Sequence, residues 1–231
     1  MLKKAVRQEY LHENPAAKIK RLKEDPKEKG ILTIEEVKAL FRDEDIERVW
    51  NGNLKHFTLN LLSASTGMRM GEVQALQVQH IHEKYISVIH SWDRKYGLKE
   101  PKRNSKRSIP VPSKTGAYLQ KVINASTFTK PDDLIFFGKD RTYPVRNEAI
   151  SKSFYKALIS IGISEEERKA RNITFHSWRF LYNTLLRGRI SEIKLRRLTG
   201  HRTEQMSDWY TRFDISDYQD ALQIQEEYFN Q

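Results

Sequence analysis

The sequence predicts a mainly α-helical domain with a small antiparallel β-sheet. Three observations carry this. Apolar residues recur at helical spacing over most of the chain, YISVIH at 85–90 is β-branched and aromatic enough for a strand, and a segment punctuated by Gly97 and Pro101 returns as a strand at Ser108-Ile109. At 231 residues the chain can bury a real core.

Residues 3–12 read as a short helix with apolar Ala5, Val6, Tyr10 and Leu11, after which Asn14-Pro15 and KIKRLKEDPKEKG read as a linker. A new start follows at Thr33, where Glu36 stands three residues after a capping hydroxyl and Val37, Leu40 and Phe41 recur at helical spacing. The main boundary is therefore expected near Gly30, dividing the chain into 1–29 and 30–231. Helical patterns at 54–66 and 70–76 are separated by Thr66-Gly67, and RKYGLKEPKRNSKRSIPVP suits a hairpin stopped by Pro110 and Pro112. Helices are predicted again at 113–124, 147–161, 176–187, 191–198, 204–211 and 216–229.

Forty-one Lys and Arg against thirty Asp and Glu give a formal charge of +11, which favours a polyanionic partner, nucleic acid first among them. The absence of cysteine excludes disulfides, thiolate catalysis and cysteine-ligated zinc. No apolar run approaches the roughly twenty residues that span a bilayer, and the basic start is not followed by a signal-peptide core. A soluble, cytoplasmic protein without a membrane partner is expected.

Three segments could carry chemistry. In Thr66-Gly67-Met68-Arg69-Met70-Gly71-Glu72 two glycines bracket an arginine where a helix begins, and a guanidinium there can grip phosphate through parallel hydrogen bonds; a plain helix junction with a capping Glu would look the same. His176-Ser177-Trp178-Arg179 opens a helix with His and Arg at i and i+3, on one face, although a packed histidine beside a tryptophan is the ordinary alternative. Leu198-Thr199-Gly200-His201 places His201 after a glycine C-cap, nine positions before Tyr210. A tyrosine with a reference pKa near 10 needs a base or nearby cations to act as a nucleophile, and taken alone it would more simply pack.

Together, in this order and spacing, TGMRMGE, HSWR and LTGH followed by a tyrosine resemble the signature of the tyrosine recombinase (phage integrase) family. The resemblance covers about residues 31–215 and implies that family's catalytic-domain fold. It also implies that residues 3–24 are the last helix and exit linker of a truncated core-binding domain. By the same resemblance Arg69 and Arg179 clamp the scissile phosphate, His176 and His201 assist proton transfer and phosphate contact, and Glu72 supports the site. Lys102, ahead of RNSKRSIP and flanked by Lys99 and Lys106, matches the family's catalytic lysine, and Tyr210 its nucleophile. LTGH carries threonine where leucine-glycine-histidine is more usual, a change expected to alter packing near His201 more than chemistry.

The implied activity is site-specific cleavage and rejoining of DNA through a 3′-phosphotyrosyl link, for a phage or other mobile element, with no metal or cofactor. Fixed cations aimed at the nonbridging oxygens would lower the barrier in their place. The implied partners are double-stranded DNA, three further copies in a tetramer with exchange of the C-terminal helix, and DNA-bending accessory proteins, at the nucleoid. A noncatalytic DNA-binding module of the same fold and a type IB topoisomerase-like enzyme are the alternatives. Phosphate contacts are expected from Arg94 to Arg107, which holds seven Lys or Arg, namely Arg94, Lys95, Lys99, Lys102, Arg103, Lys106 and Arg107, and from the cluster Arg187 to Arg202, Arg202 in particular. The last segment places Ile215, Tyr218, Leu222 and Phe229 on one helical stripe, suited to docking on its own domain or on a neighbour's.

Overall fold

The computed structural model of the protein describes residues 1–19, 29–102, 105–200 and 214–230. The helix predicted at 204–211 lies outside the described residues. Within them the chain is mainly helical, and its β structure is two small antiparallel pairs rather than one sheet.

The first helix, α1 (Leu2–Arg7), is shorter than its sequence pattern and buries none of its residues. Gln8 closes it on the Lys4 carbonyl and Glu9 turns left-handed at φ 60°, so Tyr10 and Leu11 fall beyond its end and stay exposed. The main helical body begins at α2 (Ile34–Leu40), whose Thr33 and Glu36 form the expected capping box. Arg171 reaches across to both carboxylate oxygens of Glu36, at 2.6 and 2.8 Å, and to the Ile31 carbonyl at 3.0 Å, which pins the entering strand of chain. Gly30 passes so close to the Arg171 backbone that a Cβ there would lie 1.9 Å from its carbonyl oxygen.

After α3 (Ile46–Trp50) comes the axis of the fold, α4 (Leu54–Thr66), buried continuously from Phe57 to Thr66. A helix covered on all sides needs partners all round, and α4 packs against α6 (Ser113–Asn124) and α9 (Ser177–Leu186). Two of its buried polar groups are satisfied locally or by neighbours: Ser63 donates to Leu59, and Asn60 accepts from the Trp178 indole at 3.0 Å. That indole also meets Phe41 and Phe154 at ring distances of 5.4 and 5.0 Å. Gly67 ends α4 in the left-handed region at φ 63°, and α5 (Met70–Gln74) starts at once.

Strand β1 (Tyr85–Val88) pairs with β4 (Arg107–Pro110), Ile86 opposite Ile109, while β2 (Ser91–Asp93) and β3 (Gly97–Lys99) form a hairpin between them. The hairpin sits tightly on α5, since a Cβ on Gly71 would meet the Trp92 carbonyl at 2.7 Å and Ser91 Oγ at 2.8 Å. Helix α7 (Asn147–Ser160) packs on α3, and α8 (Glu165–Ala170) precedes α9 and α10 (Glu192–Thr199). Neither α3 nor α8 was expected. The former is only five residues long, and the latter buries none of its side chains, so it has no apolar period to read.

The final helix, α11 (Gln219–Phe229), docks on its own domain. Tyr218 and Phe229 are buried as their stripe predicted, but Leu222 is partly exposed and Ala221, Ile224 and Gln225 face inward instead. Gln225 donates to the carbonyls of Ser65 at 2.8 Å and Pro110 at 3.2 Å, and Glu226 accepts from Ser113 N and Oγ at the start of α6. No described helix is long and apolar enough to cross a membrane.

Candidate active site

The end of α4, the starts of α5 and α9, strand β4 and the end of α10 meet in one place. Glu72, 2% exposed, lies at the centre. Its Oε2 reaches back to accept from the Arg69 backbone N–H at 2.9 Å, which fixes the first turn of α5, while Oε1 pairs with Arg69 Nη1 at 2.8 Å. On its other side Arg107 from β4 donates Nη2 to Oε2 at 2.8 Å and Nη1 to Oε1 at 3.2 Å. One carboxylate is thus held between two guanidiniums. Burial by itself raises its pKa, but the charge and hydrogen bonds of Arg107, then those of Arg69, carry it from the ordinary 4.5 down to about 2.

Arg179 enters from the first turn of α9 and is 3% exposed. Its Nη1 donates to the Gly67 carbonyl at 2.8 Å, and its Nη2 donates to the Thr199 carbonyl. Burial, followed by the charges of Arg69 and Arg107, pushes its pKa down, yet the guanidinium stays charged at neutral pH. Arg107 Nε donates to the Leu198 carbonyl at 2.7 Å, and Arg69 Nη2 to the Gly200 carbonyl at 3.5 Å. Three consecutive carbonyls at the C-terminal end of α10 are therefore each met by a different arginine, the arrangement favoured where a helix presents its negative pole. Gly200 closes that helix at φ 64°, as its sequence position predicted.

His176 sits just before α9, exposed, with its ring edge-on to Phe180 at 5.4 Å. Partial desolvation first, then the charges of Arg179, Arg69 and Lys29, lower its pKa below the usual histidine value. It is therefore neutral at pH 7 and able to take up a proton. His201 and Tyr210 lie outside the described residues, as do Arg103 and Arg202.

The structure brings Arg69, Glu72, His176 and Arg179 together. It does not bring Lys102 into hydrogen-bond contact with them among the described residues: Lys102 is exposed in the connection between β3 and β4. Of the expected phosphate contacts, Arg94, Lys95, Lys99 and Lys106 stand exposed on or beside the hairpin, partly offset by acids. Lys99 pairs with Asp93, Lys106 with Glu100 at 2.8 Å, and Arg94 with Glu148 at 3.7 Å.

Arg107 requires a correction. Its side chain is 6% exposed and spent on Glu72, Leu198 and Ser105, so it faces the interior rather than a duplex. The signal was in the strand period: Arg107 lies two residues from Ile109, which puts both on the core face.

Over 216 residues the chain is 24% identical to the tyrosine recombinase XerD of Staphylococcus aureus, covering 92% of this chain and 68% of that protein. Among solved structures, the Tn1549 transposon integrase in complex with a circular intermediate DNA superposes with a TM-score of 0.66 at 21% identity, over 96% of this chain and 74% of that one. A lambda integrase tetramer bound to a Holliday junction gives 0.58 at 17% identity, over 92% of this chain and 57% of that one. These likenesses fall on the fold in which the arginine cluster is built, and the phage integrase family model matches residues 31–216. The chain belongs to the phage integrase family, the tyrosine recombinases.

Proposed function

We propose that the chain is a site-specific DNA recombinase of a phage or other mobile element that cuts and rejoins strands through Tyr210. The observation that carries the reading is the convergence of Arg69 and Arg179 on the turn Leu198–Gly200, which leads directly into His201, with His176 at the start of the helix that carries Arg179. In the proposed step the Tyr210 oxygen attacks the scissile phosphorus while the bond to the 5′ oxygen breaks. That oxygen leaves with a proton from Lys102, and the phenolic proton passes to a base of the site, giving a 3′-phosphotyrosyl link and a 5′-hydroxyl. Attack by a second strand's 5′-hydroxyl reverses the step, so the phosphodiester energy is kept and no cofactor is consumed. Arg69 and Arg179 would hold the nonbridging oxygens, and neutral His176 would accept or share a proton there. Exposed Arg94, Lys95, Lys99 and Lys106, together with Arg103 and Arg202, would contact flanking phosphates.

In this reading residues 1–29 are the end of a core-binding domain and its linker, and 30–231 the catalytic domain. Four protomers act on two duplexes, with DNA-bending accessory proteins setting the geometry, at the nucleoid in the cytoplasm. Support for assembly comes from the tetrameric lambda integrase neighbour. Helix α11, seated on its own domain here, would move to the same seat on a neighbour. Removing residues 216–231 is expected to lower the melting temperature and to abolish the tetramer on DNA in sedimentation; a tetramer formed by the shortened chain would refute the exchange.

The decisive experiment incubates the protein with a pool of nicked suicide duplexes randomised across the core sequence and recovers adducts that survive denaturation. The wild-type chain should form a covalent adduct, and Tyr210→Phe none while still shifting DNA. No adduct from any duplex with the wild-type chain would leave a noncatalytic DNA-binding module.

A further inference from the structure

We propose that Arg107 is a positioning residue of the recombinase site, which keeps Glu72 from neutralising Arg69 and locks the Lys102-bearing segment to the turn that leads to His201. The inference rests on the function proposed above and adds a residue to it.

Glu72 holds the Arg107 guanidinium through both of its oxygens, at 2.8 and 3.2 Å, and the Arg69 guanidinium through Oε1 at 2.8 Å, while its Oε2 also accepts the Arg69 backbone N–H. With Arg107 present, three arginines and one carboxylate leave the cluster with an excess of two positive charges, and Arg69 remains attractive to phosphate. Without it, the buried carboxylate would fall to Arg69 alone, and an ion pair of that kind spends the cation it holds. Arg107 is also the only one of the three arginines on a β-strand. From β4 it joins the start of α5 through Glu72 and the end of α10 through Leu198.

The spacing around it is close. A Cβ on Gly200 would lie 3.2 Å from Arg107 Nη1 and 3.1 Å from Ser105, so the turn lies directly against the approach to the strand. Lys102 precedes β4 by five residues, and His201 follows Gly200 directly. Two of the groups expected to move protons, Lys102 and His201, thus neighbour the two segments that this side chain ties together. Its near-complete burial separates it from the exposed cations of the hairpin, which are placed to meet phosphate.

The test separates binding from chemistry, using the duplexes that the wild-type chain converts to adducts. For Arg107→Gln, DNA affinity and its salt dependence should match wild type within about threefold, whereas single-turnover adduct formation should fall about 10²-fold, the cost of a misplaced site. Adding Glu72→Gln should then recover about tenfold of that loss, because the unbalanced carboxylate is gone; neighbouring groups couple non-additively in this way. A wild-type cleavage rate for Arg107→Gln would overturn the proposal. So would a salt slope reduced by about one, the mark of a lost phosphate contact, or a double variant slower than the single one. If Arg107→Gln shows no cooperative melting, Arg107→Lys carries the test, with about a tenfold slower adduct at unchanged affinity supporting the proposal and a wild-type rate overturning it. Absence of adduct with the wild-type chain would instead strike the proposed function itself.

Discussion

Arg179→Met is expected to slow covalent adduct formation by about 10³-fold, the scale set by removal of a preorganised charge donor from a developing oxyanion. The same change should leave the melting temperature within a few degrees of wild type, or raise it. Arg179 is buried, and burial together with the positive charges of Arg69 and Arg107 disfavours its charged form. A group whose cationic form is penalised in the fold costs stability at neutral pH, and methionine fills a similar volume without that cost. The carbonyls of Gly67 and Thr199 lose their donor, which partly offsets the gain. Single-turnover cleavage and thermal melting, measured on one preparation, check the pair of expectations. A large fall in melting temperature would mean that Arg179 is there to hold the fold.

Glu72→Gln is expected to act in the opposite sense on stability. Breaking a buried pair from one side costs about 3–5 kcal/mol, which in a domain of this size lowers the melting temperature by roughly 10 °C. The pH dependence identifies the cause. Holding this carboxyl at about 2 in the fold instead of its ordinary 4.5 stabilises the protein by about 3 kcal/mol above pH 4.5. That contribution is lost as pH falls through the window from 4.5 to about 2, where the folded state is at last protonated. The difference in unfolding free energy between wild type and Glu72→Gln should therefore shrink across that window. A difference independent of pH would show that the carboxylate is not ionised in the cluster.

Much of this was legible in the sequence because local chemistry and tertiary role agree. Thr33 with Glu36, Gly67 and Gly200 act through the backbone conformations of their own turns, so a reading of neighbours suffices. The motifs around Arg69 and His176 likewise announced helix starts, and the structure sets both at the mouths of α5 and α9. What the sequence misled on depends on partners far along the chain. Arg107 sits in a run of exposed cations, and only its pairing with a carboxylate 35 positions earlier takes it inward. Gln225 breaks the apolar stripe of the last helix, yet it is 1% exposed because carbonyls on α4 and β4 wait for its amide. Helix α8 buries no residue and so shows no apolar period; its start was marked only by the cap Ser164, which accepts from the Glu167 backbone.

In the proposed reading the two guanidiniums that would hold the phosphate, Arg179 and Arg69, already donate to the carbonyls of Thr199 and Gly200 before DNA arrives. These cations are engaged by backbone carbonyls at the end of α10, which would serve as a resident surrogate for the anion. An incoming phosphodiester competes with peptide dipoles already aligned on the same nitrogens, so only the surplus over that surrogate is realised as affinity. A site built this way discriminates by charge: a full anion outbids a carbonyl, whereas a neutral oxygen ligand does not.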